Sequence, residues 1–306
     1  MKNLKTYQRL GLNSNDEVFD YFFENLTPVI HNLNFYVNWN KVFSGVEKYK
    51  IELSILNSLC GSKNIVSDFK DILRKYPEVI QVFSLLIGVR GDKIQVLNDI
   101  SEKKFSFLSY NFKKKITLTN EEIESLVIFF EDTGLFNFIE KKGLQSLKDY
   151  SFGVEVGLDT NGRKNRGGTN METLVKNLIT PIVLSNNCEI IEQGTQQQVL
   201  NHWGLHLPLD KSNRIVDFVI KKGNKLIWVE TNFYSGGGSK LKSTSGEYKD
   251  LFKFCKTNNI EFIWITDGDG WRTTKKPLRE TFELTDYILN LDMIKEGCLD
   301  EILKSF

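Results

Sequence analysis

Two acidic residues interrupt apolar runs in the segment RIVDFVIKKGNKLIWVETN, Arg214 to Asn232: Asp217 in the first run and Glu230 in the second. Both runs are rich in Val, Ile, Phe and Trp, and the Gly223-Asn224 step between them suits a two-residue hairpin turn. If Lys222 faces Lys225, counting outward five residues on each strand sets Asp217 directly opposite Glu230. Cross-strand Cβ atoms then lie roughly 4.5 to 5.5 Å apart. Asn232 shares their face, and Val216, Phe218, Ile220, Ile227 and Val229 form the other, the expected core face. Like charges so placed destabilise a sheet unless a cation sits between them. Hard carboxylate oxygens point to Mg²⁺, which suits a site with few protein ligands completed by water and a substrate phosphate. The other reading of the spacing is an exposed edge hairpin with solvated carboxylates.

Asp217, twelve residues, then Glu230-Thr231-Asn232 resembles the PD-(D/E)xK nucleases. That resemblance implies that Asp217 and Glu230 hold one or two Mg²⁺ ions for phosphodiester hydrolysis. The pattern departs at its third position, where Asn232, a neutral amide that can orient a water or a phosphate, replaces the usual Lys; Lys240 or Lys242, past the Gly236-Gly237-Gly238 run, is the candidate for the missing cation. Three longer strings are more specific: Gly153 to Val175 (GVEVGLDTNGRKNRGGTNMETLV), Trp228 to Tyr248 (WVETNFYSGGGSKLKSTSGEY) and Ile263 to Trp271 (IWITDGDGW). They are similar to the DpnII/MboI family of type II restriction endonucleases. The family implies cleavage of double-stranded DNA at unmethylated GATC, before the G, leaving 5′ four-base overhangs. It also implies a functional pairing with an adenine methyltransferase. A palindromic target is most simply matched by a homodimer.

The elements that must position these residues are legible in outline. Up to a boundary placed between Gly143 and Ser151 the chain reads as mainly helical: EVFDYFFENLTPVI after Asn15-Asp16, FKDILRKY after Ser67-Asp68, and a Thr119 to Glu122 capping box leading into IESLVIFFED. Alternation from Phe105 to Phe112, followed by Ile116-Thr117-Leu118, reads as a short hairpin. Beyond the boundary come a helix from Asn170 to about Leu178, a strand over Glu189–Gln193 and the acidic hairpin. A helix over Ser245–Thr257, a strand over Ile260–Thr266 and a helix over Pro277–Leu289 follow. The expected fold is α/β, a restriction-endonuclease-like αβββαβ core over 146–306 with a mainly helical N-terminal region over 1–145.

Glu172 closes a T-x-x-E capping pattern begun by Thr169, which by itself asks for no metal. The resemblance offers it a second role, the upstream helical acid of the nuclease site; Glu155 and Asp159 compete for that role. Residues Gly157 to Gly168 read as a glycine-rich loop carrying Arg163, Lys164, Asn165 and Arg166, side chains suited to phosphates and base edges; Lys242 joins them as a DNA contact.

Net charge is +1, yet Lys211 to Lys256 holds ten basic residues against four acids. That local excess suits phosphate neutralisation. The four cysteines lack any CxxC spacing, which argues against zinc and disulfides. His202 and His206 are four apart, but Gly204 and Pro208 argue against a helix that would pair them as ligands. SGGGSK lacks the ending of a nucleotide-binding P-loop. No run approaches the roughly 20 apolar residues of a membrane span, and the N-terminus lacks a signal-peptide core, so a cytoplasmic protein is expected. Two rivals remain: a non-catalytic DNA-binding module of this fold, and a structure-specific repair nuclease.

Overall fold

The computed structural model describes residues 4–101, 104–140 and 144–306, with the side chains of all these except 99–101, 104, 105, 239 and 240. They divide into two compact units, one of 1–32 with 165–306 and the other of 33–164. No helix among them is long and apolar enough to cross a membrane.

Helix α1 (Asn15–Glu24), capped by the Ser14 side chain, belongs to the first unit. The unit of 33–164 follows: α2 (Trp39–Glu47), α3 (Lys50–Leu56), α4 (Ile65–Lys75), α5 (Phe83–Leu86), β1 (Lys93–Ser101), β2 (Lys104–Asn111), α6 (Asn120–Asp132), α7 (Leu135–Glu140) and α8 (Leu147–Asp159). The Thr119/Glu122 capping box forms with both of its hydrogen bonds. The strand read at Phe105 to Phe112 exists, but its antiparallel partner is Lys93–Ser101 upstream rather than Ile116 to Leu118. Phe69, Phe83, Phe112 and Phe130 are fully buried at the centre of this unit, with Phe69 and Phe130 ring centroids 4.3 Å apart.

The remaining elements are α9 (Arg163–Ser185), β3 (Glu189–Gly194), α10 (Gln196–Trp203), β4 (Val216–Lys222), β5 (Lys225–Phe233), α11 (Ser239–Thr257), β6 (Glu261–Asp267), α12 (Lys275–Leu284), β7 (Tyr287–Leu289), α13 (Leu291–Lys295) and α14 (Cys298–Lys304). The five strands form one mixed α/β sheet in the order β3-β4-β5-β6-β7, antiparallel up to β5 and parallel beyond it. Strands β4 and β5 are therefore interior, which rules out the exposed edge hairpin. Both of their faces are buried: Val216, Phe218, Ile220, Ile227 and Val229 on one, Val219 and Trp228 on the carboxylate side. Phe254 of α11 packs on Trp228 and Tyr248 on Trp264, so α11 covers the carboxylate face. On α1, Phe19 and Phe22 pack against Phe282 of α12, which ties the N-terminal segment into the same core.

Three further expectations change. Helix α9 starts at Arg163, not Asn170, so Gly157 to Gly168 is helical rather than a loop: α8 runs to Asp159, a 3₁₀ turn spans Thr160–Gly162, and α9 takes the rest. Met171, Val175, Ile179 and Val183 are buried at four-residue spacing on α9, and burying that stripe outweighs the roughly 1 kcal/mol that each interior glycine costs. Tyr287–Leu289, read as the end of a helix, is a buried edge strand pairing β6; a three-residue apolar run carries no period that distinguishes the two. Helix α10 was not anticipated, although Thr195 and Gln198 make a complete capping box and Gly204 ends the helix at φ +65°. His202 lies inside α10 and His206 beyond it, its Nε2 2.6 Å from the Gln196 side chain.

Candidate active site

The β4–β5 ladder runs from Lys222↔Lys225 to Phe218↔Val229, and one rung further the register sets Asp217 against Glu230. Asp217 is half-buried; its Oδ2 accepts hydrogen bonds from the Thr231 backbone N–H at 2.7 Å and the Thr231 hydroxyl at 3.0 Å. Glu230 is only 6% exposed, and its Oε1 accepts from the Trp228 indole N–H at 2.7 Å. The other oxygen of each, Asp217 Oδ1 and Glu230 Oε2, has no hydrogen-bond partner among the described residues.

Burial raises the Asp217 carboxyl above its ordinary range, against the opposing Thr231 hydrogen bonds and the Arg214 charge. Burial, and then the Asp217 charge, raise Glu230. These are two acids on opposed strand positions whose burial outweighs the opposing positive charge, each with one oxygen that has no hydrogen-bond partner among the described residues. Such a donor set fits Mg²⁺, which takes one or two carboxylates and fills its remaining positions with water and phosphate oxygen. Among the described residues, no group of three or more His, Cys, Asp or Glu side chains is gathered to hold a metal ion.

Glu172 does not cap its helix. It sits nine residues past the start of α9, and Thr169, the expected cap, instead bonds back to the Asn165 carbonyl. Glu172 shares a cleft of about 220 Å³ with Asp217, Gln193, Lys176 and Asn177. Its Oε2 accepts from Gln193 Nε2 at 2.8 Å, and burial followed by the Asp217 charge raises its carboxyl. Glu155 and Asp159 have local duties instead: Glu155 pairs with Arg90 at 2.8 Å, and Asp159 accepts from the Asn38 backbone N–H at 2.9 Å.

Asn232 is engaged at both ends. Its Oδ1 accepts from the Thr266 hydroxyl, which itself accepts from Trp271 Nε1, and its Nδ2 donates to the Tyr248 hydroxyl at 3.0 Å. Lys240 lies in the first turn of α11, and its side chain falls outside the described residues. Lys242 is exposed and has no ion-pair partner among the described residues. Most of its neighbours in the basic run do have partners: Lys221 with Glu189, Lys249 with Glu280, and Arg214 with Asp210. Arg163 and Arg166 are half-buried on α9 and Lys164 and Asn165 exposed; Arg163 Nε donates to the Tyr36 carbonyl.

Sequence reasoning passed over Arg214 and Gln193. Arg214 carries the positive charge felt by both acids, and it is braced by Asp210 through two hydrogen bonds of 2.9 and 2.7 Å. Its place three residues before Asp217 was a usable signal. Gln193 takes φ +47° inside β3, a conformation rare for a residue with a side chain, and no composition rule marks it.

The family model described as DpnII restriction endonuclease matches residues 18–301. The chain belongs to that family. It is 47% identical to the type II restriction enzyme MjaIII of Methanocaldococcus jannaschii, over 93% of this chain and 99% of that one. Identity to the type II restriction enzyme DpnII of Streptococcus pneumoniae is 37%, over 93% and 98%. With MboI of Moraxella bovis, also a type II restriction enzyme, it is 32%, over 89% and 92%. No solved structure matches the chain. As a DpnII-family member it is a site-specific deoxyribonuclease, and the acids on β4 and β5 lie within the matched span.

Proposed function

We propose that this enzyme hydrolyses double-stranded DNA at unmethylated GATC, before the G, in a Mg²⁺-dependent reaction centred on Asp217 and Glu230. The observation that carries the reading is the pair itself: two acids on adjacent interior strands, oriented by Thr231 and Trp228, each with a free oxygen. Bound there, Mg²⁺ supplies Lewis acidity to the scissile phosphate and makes a coordinated water more acidic. Thr231 fixes the Asp217 carboxylate and Trp228 that of Glu230, so neither must be ordered when substrate arrives. Glu172, steadied by Gln193, faces the same cleft as Asp217 and supports the ligand shell. Asn232, locked between Thr266 and Tyr248, helps hold β5 in place against β6, and the cation of the motif's third position comes from Lys240.

The sheet with its flanking helices corresponds to a PD-(D/E)xK core in its αβββαβ order, into which α10 is inserted. Arg163, Lys164, Asn165, Arg166 and Lys242 contact DNA. The enzyme works as a homodimer on its palindromic site, in the cytoplasm, opposite an adenine methyltransferase of the same system. Incubation of unmethylated plasmid with the protein and Mg²⁺, followed by sequencing of the fragment ends, tests the reading. Ends starting with 5′-GATC are expected, and ends of scattered sequence would overturn it.

A further inference from the structure

Within the unit of 33–164, β1 and β2 form a two-stranded ribbon anchored at its base. Tyr110 is buried there against Phe112 and Phe129, with ring centroids 6.2 and 4.9 Å away, and the Phe112 N–H donates to the Asp92 carbonyl at 2.7 Å. Lys104, the outer end of β2, lies roughly 20 Å along the strand from Tyr110 at about 3.4 Å per residue. Gln95 to Asn98 and Ser106 to Ser109 are exposed without a break, so solvent reaches both faces of the ribbon. Half of those side chains are nevertheless apolar. Val96 and Leu108, partners across the ribbon, are 39% and 38% exposed, and the next pair, Leu97 and Phe107, 49% and 56%. Successive pairs point to opposite faces, so each face carries one apolar pair.

Two strands alone are marginal in water; a third strand or a covered face is what stabilises them. Among the described residues, the outer edge of β2 pairs with no strand. Soluble proteins blunt such edges with charge, proline or a bulge. Strand β1 is blunted, because its register shifts between Leu97 and Asp99 and it carries Lys93 and Asp99. Strand β2 is not. From Phe105 to Asn111 it reads FSFLSYN, aromatic-rich and without charge, proline or glycine, the composition of a segment that pairs with another strand.

The chemistry of that edge identifies the occupant. An uncharged stretch has nothing with which to neutralise a phosphate backbone. An antiparallel edge, by contrast, is complementary to itself: turned about a two-fold axis, the N–H and C=O groups of one copy meet the C=O and N–H groups of the other. We propose that β2 pairs antiparallel with β2 of a second copy of this chain, joining the two ribbons into one sheet. Phe107 and Leu108, on opposite faces, then pack beside their counterparts on either side of it. The inference rests on the homodimer proposed above and names where its two copies meet.

Sedimentation velocity, without DNA and on a GATC duplex in Ca²⁺, tests it. Wild type is expected to sediment as a dimer without DNA. Phe107→Glu and Leu108→Glu each bring like charges together across the two-fold axis, and each is expected to raise the dimer Kd at least about a hundredfold. Circular dichroism should be unchanged, since both side chains are exposed in the single copy. Ser106→Cys, Phe107→Cys, Leu108→Cys and Ser109→Cys, oxidised one variant at a time, are expected to give a covalent dimer at the position nearest the axis. A dimer that both Glu variants leave intact, or no cross-link at any of these positions, would overturn the β2 pairing while leaving the homodimer standing. A wild-type mass of one chain without DNA would also overturn it; two chains on the duplex would then keep the homodimer reading, and one chain would end both.

Discussion

Glu230 accepts the indole N–H of Trp228, two residues earlier on the same strand, at 2.7 Å, while the Asp217 charge opposite disfavours its ionisation. A glutamine at 230 can keep the indole bond and drop the charge. The folded-state carboxyl lies above its unfolded value of about 4.3, so the group destabilises the fold increasingly as pH rises through that value towards the folded pKa. In EDTA at pH 8, Glu230→Gln is therefore expected to melt higher than wild type, by about 2 to 4 °C per kcal/mol relieved, with the gap closing towards pH 4. Thermal melts across that range check both the sign and the window. Arg214 keeps Asp210 as a partner in the variant, so no orphaned cation offsets the gain.

Glu172 sits in mid-helix and so has no capping duty. Glu172→Gln should lower the cleavage rate at least tenfold while leaving the melting temperature within about 1 °C, because the roughly 1 kcal/mol of a lost cap is not at stake. An unchanged rate with a lowered melting temperature would mean the opposite. Rates under saturating DNA, paired with melts, separate the two.

Gly268 tests how the end of β6 is built. Its φ is +109°, and a Cβ there would lie 2.2 Å from the Tyr234 carbonyl oxygen. Gly268→Ala should cost upwards of about 3 kcal/mol, read by urea unfolding, since backbone must move to admit the methyl group.

The hairpin register was legible because turn chemistry and period-two alternation agree there, and Lys222 does face Lys225. The Thr119 box also marked α6, and the alternation of helices and strands beyond residue 146 was legible apart from α10 and β7. The buried carboxylate face was not, because whether a strand is interior depends on β3 and β6, whose pairing is non-local. Gly167 and Gly168 signalled a loop until the stripe from Met171 to Val183 drew them into α9. The capping pattern at Thr169 and Glu172 was present in the letters and absent in space, whereas the one at Thr195 was real and went unread.

Methylation at adenine N6 places a methyl group on the exocyclic amine facing the major groove and removes one donor hydrogen. Plasmid from a host that methylates GATC adenines is expected to resist cleavage, and plasmid from a methylation-deficient host to be cut at every GATC. Gel electrophoresis of both digests decides; equal cutting would contradict methyl sensing.

Asp217 and Glu230 are the residues proposed to carry the chemistry. Single-turnover cleavage of an unmethylated GATC duplex in Mg²⁺, with gel shift of the same duplex in Ca²⁺, tests the proposal on Asp217→Ala and Glu230→Ala. Each variant should lose cleavage by several orders of magnitude while still shifting the duplex, because each removes a proposed metal ligand and leaves the proposed DNA contacts in place. Turnover near the wild-type rate in either variant would contradict the assignment and move the catalytic centre away from β4 and β5.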